Sequence, residues 1–128
     1  MVKEEARNRM VQQLMEFKDA GLDVYINHVD RPTDSHYGII TDGKNIAYIQ
    51  FAAYSSDTLF SMSFKYMPSK GYGNGVGFIE SKAHLTMKDF EECVAYGQRF
   101  AASHGVKLYR SFEQYMKDPW HKKTYEKL

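Results

Sequence analysis

The sequence lacks several features that would assign it to a class at once. It has one cysteine, Cys93, so no disulfide can form within the chain, and only three prolines and one tryptophan. Its apolar runs extend over a few residues each, which excludes a transmembrane helix. The first ten residues carry acidic side chains and no apolar core, unlike a signal peptide. These absences predict a cytoplasmic protein that does not associate with a membrane.

A large net charge of one sign is also missing. The formal net charge is +1 at pH 7, so overall composition does not indicate a nucleic-acid-binding protein. The charges are nevertheless uneven, because residues 1–64 contain six Lys or Arg and nine Asp or Glu, whereas residues 65–128 contain eleven and seven. The basic excess begins at residue 65. It indicates either an anion-binding patch or an ordinary solvated surface.

Aromatic residues are plentiful. The chain has ten tyrosines and eight phenylalanines, and 43% of its residues are hydrophobic. A chain of 128 residues with this composition is long enough to bury one core. We therefore predict a single domain over residues 1–128.

The order of the local patterns predicts an α+β fold. Apolar residues recur at helical spacing over residues 2–20, and Thr86 and Ser111 are N-cap candidates for a helix to about residue 104 and for a shorter helix. Strand-like alternation covers residues 22–29, 36–41, 44–54, 58–67 and 76–81, with residues 106–109 as a short edge strand. We predict an N-terminal helix, a four- to five-stranded antiparallel meander, and C-terminal helices packed on one sheet face.

The turns between the strands predict a register and two faces. Asp42-Gly43 is typical of a two-residue hairpin loop, which would pair Thr41 with Lys44 and Tyr37 with Tyr48. A four-residue loop at 55–58 would then place Lys65 beside Tyr48. One face would carry the apolar side chains that the helices cover (Ile49, Phe51, Ala53, Phe60, Met62 and Phe64). The other would carry the row Tyr37–Tyr48–Lys65.

This second face has two interpretations. Tyrosine rings stack on nucleic-acid bases and lysines contact phosphates, so the row could be a stacking platform. Alternatively, the tyrosines pack under a helix or against a second copy of the chain in a homodimer.

Residues 65–78 contain four of the nine glycines and continue this surface. Backbone amides of glycine-rich turns can hold phosphates, and the lysines and tyrosine of this segment add charge and stacking. No Gly-Lys-Ser/Thr follows the glycines, and no helix opens directly after them, which excludes a Walker loop and a dinucleotide fingerprint. The alternative is a hairpin loop whose glycines supply positive φ angles. The predicted ligand-binding residues are Tyr37, Tyr48, Lys65, Lys70, Tyr72 and Asn74.

The sequence indicates no cofactor and no catalytic residue. Cys93 lies on the apolar stripe of a predicted helix, where a thiol is buried and inert. A set of two imidazoles and two carboxylates, at a spacing that matches no named signature, could hold a divalent metal and support hydrolysis. Its members are His28, Asp30, Asp34 and His36.

Together these patterns predict a small non-enzymatic binding protein. Its expected ligand is single-stranded nucleic acid or another polyanion, held by the aromatic and basic sheet face and the glycine-rich loop. One alternative is an inhibitor or adaptor that docks a protein partner, such as an acidic one, through the same tyrosine-rich surface. The other alternative is the metal-dependent hydrolase.

Overall fold

The structure is a computed structural model that describes residues 3–27, 36–51, 59–68, 74–118 and 124–128. The helices within these residues are α1 (Lys3–Asp19), α2 (Met87–His104) and α3 (Phe112–Met116). The strands are β1 (Asp23–Asn27), β2 (His36–Thr41), β3 (Ile46–Phe51), β4 (Phe60–Met67), β5 (Gly75–Lys82), β6 (Lys107–Leu108) and β7 (Tyr125–Lys127). None of these three helices has the length and apolar character needed to cross a membrane.

The strands form one antiparallel sheet in the order β5-β4-β3-β2-β1-β7, and β6 pairs with β4. Strands β1 to β5 each lie beside their neighbour in sequence, so the predicted meander and the α+β fold class are confirmed. The short strand β6 falls where an edge strand was expected. Strand β7 was not predicted, and it pairs antiparallel with β1.

The main core lies between one sheet face and the helices α1 and α2. Helix α1 buries Ala6, Met10, Leu14 and Phe17, which recur at helical spacing. Helix α2 packs closely on the same face, because a Cβ atom added to Gly97 would lie 3.2 Å from Cγ of Phe64.

The buried side-chain amide of Gln13, in α1, hydrogen-bonds to the backbone just before α2. The side-chain Nε2 of Gln13 donates to the carbonyl of Leu85 at 2.9 Å, and its Oε1 accepts from the N–H of Leu85 at 2.8 Å. Both polar atoms of the glutamine are therefore satisfied although the residue is buried. This pair of hydrogen bonds fixes the segment before α2 against α1.

Helix α2 begins and ends at the predicted residues. The hydroxyl of Thr86 accepts from the N–H of Asp89, and the carboxylate of Asp89 accepts from the N–H of Thr86, which completes a capping box. At the other end Gly105 adopts φ 63°, the left-handed conformation that ends a helix.

The predicted register of the first hairpin is wrong by two residues. Thr41 pairs with Ile46 and Ile39 with Tyr48, so the loop contains the four residues 42–45. Side chains close this loop, because Oδ1 of Asp42 accepts from the N–H groups of Lys44 and Asn45. The short polar side chain stabilises a longer turn than the Asp-Gly pair alone indicated.

The second hairpin is displaced in the same way. Tyr48 pairs with Ser63, and Phe51 with Phe60, so residues 52–59 connect the two strands. Because both displacements are of two residues, the described side chains of β2, β3 and β4 keep their predicted faces. The predicted apolar face under the helices is confirmed for Ile49, Phe51, Phe60, Met62 and Phe64, and Ala53 lies outside the described residues. Tyr37, Tyr48 and Lys65 lie on a diagonal of the other face.

Candidate functional site

A cluster of aromatic side chains covers part of the second sheet face. Helix α3 lies on this face, and the buried residues there are Tyr25, Ile39, Ile46, Tyr48, Tyr109 and Tyr115, which we call the tyrosine cluster. The rings of Tyr48 and Tyr115 meet edge to face with centroids 5.0 Å apart. Tyr25 stacks on Phe112 of α3 at 3.7 Å. The interpretation in which the tyrosines of the predicted row pack under a helix therefore holds for Tyr48.

The side chain of Lys65, on strand β4, contacts two rings of the tyrosine cluster. Its Nζ lies 4.8 Å from the ring centre of Tyr48 and 5.4 Å from that of Tyr115, within the range of cation–π attraction. The same atom donates to the hydroxyl of Tyr115 at 3.3 Å. The lysine is half-buried, so its ammonium group is positioned by aromatic rings and is not freely solvated.

Beside the tyrosine cluster the second face is hollow. A cavity of about 360 Å³, which we call the sheet cavity, lies across β2 to β5 and is bordered by Tyr37, Tyr48, Lys65 and Tyr125. Its volume falls within the range of sites that hold small ligands. The floor is low because the side chains facing it from β4 and β5 are small, namely Ser61, Ser63, Gly75 and Gly77.

The two ends of the sheet cavity differ in the charge of the side chains near them. Lys65 pairs with Gly75 at one end, and Glu80 lies near the other end, beside the row formed by Tyr37, Gln50 and Ser61. A negative group is favoured near the lysine and disfavoured near the glutamate. The aromatic ring at the glutamate end is Tyr37, which is half-buried and lines the cavity.

Tyr48 contributes to this site differently from the expected stacking platform. Only 6% of the residue is exposed, and the side chains of Tyr115 and Lys65 pack against its ring. A base therefore cannot stack on Tyr48 in this arrangement. Burial raises the pKa of its phenol well above the ordinary value, and neighbouring acidic groups add to the effect. Its hydroxyl has no hydrogen-bond partner among the described residues.

The structure brings three of the six predicted binding residues to one cavity: Tyr37, Tyr48 and Lys65. Asn74 lies at the turn before β5, where its carbonyl accepts from the N–H of Tyr66 at 3.1 Å. Lys70 and Tyr72 lie outside the described residues. Their role in the site stays a prediction.

The predicted metal set falls mostly outside the described residues. His28, Asp30 and Asp34 are not among them, while His36 is buried on the sheet face that α1 covers. Among the described residues no group of three or more His, Cys, Asp or Glu side chains is placed to hold a metal. The hydrolase alternative stays a prediction that a metal-content measurement on chelator-free protein would test.

Cys93 occupies the position expected of an inert thiol. It is completely buried in the main core, and burial raises the pKa of the thiol to about 12. The group is therefore protonated at neutral pH and is not a nucleophile.

Sequence reasoning predicted the short helix after Ser111 but not its position on the second sheet face, and it missed strand β7. Phe112, Tyr115 and Met116 recur at helical spacing, and this signal could have placed α3 over the tyrosines of the sheet. Tyr125 also borders the sheet cavity, but it belongs to a strand of three residues. So short a segment has too few residues to show a strand period.

We compared the chain with protein-family models, with curated proteins and with solved structures, and none of these comparisons finds a match.

Proposed function

We propose that this chain is a non-enzymatic binding protein that holds single-stranded nucleic acid along the sheet cavity. The observation that carries the proposal is the convergence of Lys65 and Tyr37 on one cavity of ligand size whose floor consists of small residues, two serines and two glycines. A lysine that contacts phosphate and an aromatic ring on which a base stacks are the two contacts typical of single-strand binding. Other polyanions would share only the first of these contacts.

Each part of the site has a role in this proposal. A base stacks on the ring of Tyr37, and Gln50 and Ser61 in the same row hydrogen-bond to its edge. The phosphate lies toward Lys65, at the end remote from Glu80. Lys70 and Tyr72 of the glycine-rich segment extend the contact to neighbouring nucleotides, as the sequence predicts.

The alternative of a protein-binding inhibitor or adaptor requires an open tyrosine-rich surface. Helix α3 covers much of that surface from within the same chain. A homodimer was predicted because the tyrosines of the second face would otherwise be exposed. Helix α3 already covers several of them, so that reason no longer applies. The contacts around the sheet cavity therefore favour a small or linear ligand over a broad protein interface.

The test is a fluorescence-anisotropy titration with labelled single-stranded DNA and RNA at low and moderate salt. We expect binding at low salt that weakens steeply as salt increases. Tyr37→Ala should weaken it by about 1–3 kcal/mol, roughly 5- to 150-fold, since it removes one stacked base. Lys65→Gln should also weaken it. The matched control is Lys88→Gln, which removes an 82% exposed lysine from α2 on the opposite face.

The outcomes separate the alternatives. No binding of either strand at low salt contradicts the proposal. Equal competition by inorganic polyphosphate would indicate a general polyanion site without base stacking. Binding that is unchanged by Tyr37→Ala would place the ligand away from the sheet cavity.

A further inference from the structure

A second cavity lies at the C-terminal end of helix α2. It occupies about 460 Å³ between the last turn of α2, strand β6 and the start of α3, and we call it the helix-end cavity. Its apolar lining comes from Met67, Ala101, Ala102, Val106 and Leu108. The volume is in the range of small-molecule sites.

Local sequence explains why this space is left open. Helix α2 ends at Gly105, and the N–H of Val106 returns to the carbonyl of Ala101 at 3.1 Å, so the chain turns sharply into β6. Strand β6 then pairs with the end of β4, which puts Leu108 opposite Tyr66. The two alanines of the last helical turn are too small to fill the angle between these elements.

Two cations line the same cavity. Lys107 and Arg110 are both exposed, and neither takes part in any of the ion pairs found among the described residues. No acidic residue lines the cavity. The carbonyl Oε1 of Gln114 accepts from the backbone N–H of Arg110 at 2.8 Å, so its amide NH₂ is the part of this side chain left to donate to a ligand.

We propose that the helix-end cavity binds a small amphipathic carboxylate, that is, an ionised acid with an alkyl chain or an aryl ring. The apolar body lies against Val106, Leu108 and the alanines. The carboxylate lies at the rim, where the guanidinium of Arg110 offers paired N–H donors and Lys107 adds charge. This inference is independent of the proposed nucleic-acid site.

The position of the helix end sets where the carboxylate lies. The C-terminus of a helix carries partial negative charge, which repels an anion placed on the helix axis. The N–H groups of Gly105 and Val106 already satisfy the carbonyl of Ala101. The anionic head therefore lies on the Arg110 side of the cavity, and the apolar chain points toward α2.

The test is a titration of ¹⁵N-labelled full-length protein with decanoate and, separately, with decanol at neutral pH. We expect amide shift changes centred on residues 101–108 and binding of decanoate about tenfold tighter than decanol, as for a charge-assisted contact at a partly exposed site. Arg110→Gln should weaken decanoate binding about tenfold and leave decanol binding unchanged.

A second variant keeps the test independent of charge. Ala101→Leu fills the cavity with a side chain that favours helix, so it should abolish the binding of both probes without unfolding α2. Lys88→Gln, remote from the cavity, should bind decanoate as the wild type does. The proposal is overturned by the absence of shift changes at residues 101–108, by equal affinity for decanoate and decanol, or by shift changes confined to the sheet cavity.

Discussion

At the scale of the residue, Tyr48 shows most clearly how the second face is built. Its ring is held between Tyr115 and Lys65, yet its hydroxyl is buried without a partner among the described residues. A buried hydroxyl that gains no hydrogen bond in return for its lost hydration costs about 1–3 kcal/mol. Tyr109 makes the useful comparison, because its hydroxyl donates to the buried carboxylate of Asp118.

We therefore expect Tyr48→Phe and Tyr109→Phe to have different effects on stability. Tyr48→Phe removes an unsatisfied group and should leave the free energy of unfolding unchanged or raise it by up to about 1 kcal/mol. Tyr109→Phe leaves Asp118 without this donor and should lower it by about 1–3 kcal/mol. Denaturant-induced unfolding of the two variants measures both. A loss of stability in Tyr48→Phe as large as that in Tyr109→Phe would contradict the interpretation.

At the scale of the element, the start of α2 depends on one carboxylate. Burial alone would raise the pKa of Asp89, but hydrogen bonds from Lys82 and from Thr86 outweigh burial, and the pKa is lowered. Both carboxylate oxygens of Asp89 lie 2.8 Å from Nζ of Lys82. Because the folded state favours the ionised form, this stability is present above the unfolded pKa of about 4 and is lost as the pH falls through the folded pKa.

Asp89→Asn keeps the acceptor that caps the helix and removes the charge. We expect it to lower the free energy of unfolding by up to about 1 kcal/mol at neutral pH, in line with the loss of a partly exposed ion pair. The difference from wild type should shrink as the pH falls below about 4. Denaturant unfolding of both proteins at neutral and acidic pH makes the comparison. A difference that stays constant across this range would show that the charge is not responsible.

The elements also show what the sequence could predict. The faces of β2, β3 and β4 follow from alternation, and they survive because both loops differ from expectation by an even number of residues. The loop lengths could not be predicted, because Asp42 and Asn45 close the first loop with side-chain hydrogen bonds that compete with the two-residue turn. The sheet cavity follows from the face pattern, whereas its border at Tyr125 depends on a strand of three residues that no local period reveals.

At the scale of the whole molecule, the buried tyrosine hydroxyls make the free energy of unfolding depend on pH in the alkaline range. Burial raises the pKa of Tyr115 to about 12, and it also raises the pKa values of Tyr48 and Tyr25 above the ordinary value. A raised folded pKa means that this stability is fully present below about pH 10, where unfolded tyrosine is still neutral, and is lost between pH 10 and the folded pKa.

We expect the free energy of unfolding to fall steeply above about pH 10, by about 1.4 kcal/mol per pH unit for each buried phenol. Phenolate absorbance should show one set of tyrosines that ionises near pH 10 and another that ionises only as the protein unfolds. Tyr115→Phe should reduce the slope of stability against pH. A single transition near pH 10 for all the tyrosines of the folded protein would contradict the buried cluster.

The pairing of β7 with β1 has a consequence for synthesis on the ribosome. Strand β1 is among the first elements to be translated, but its outer edge is paired by residues 125–127, which are translated more than ninety positions later. Until those residues emerge, β1 presents unpaired N–H and C=O groups to other nascent chains. A chain that stalls before Tyr125 therefore has an open sheet edge, which would recruit chaperones or seed aggregation.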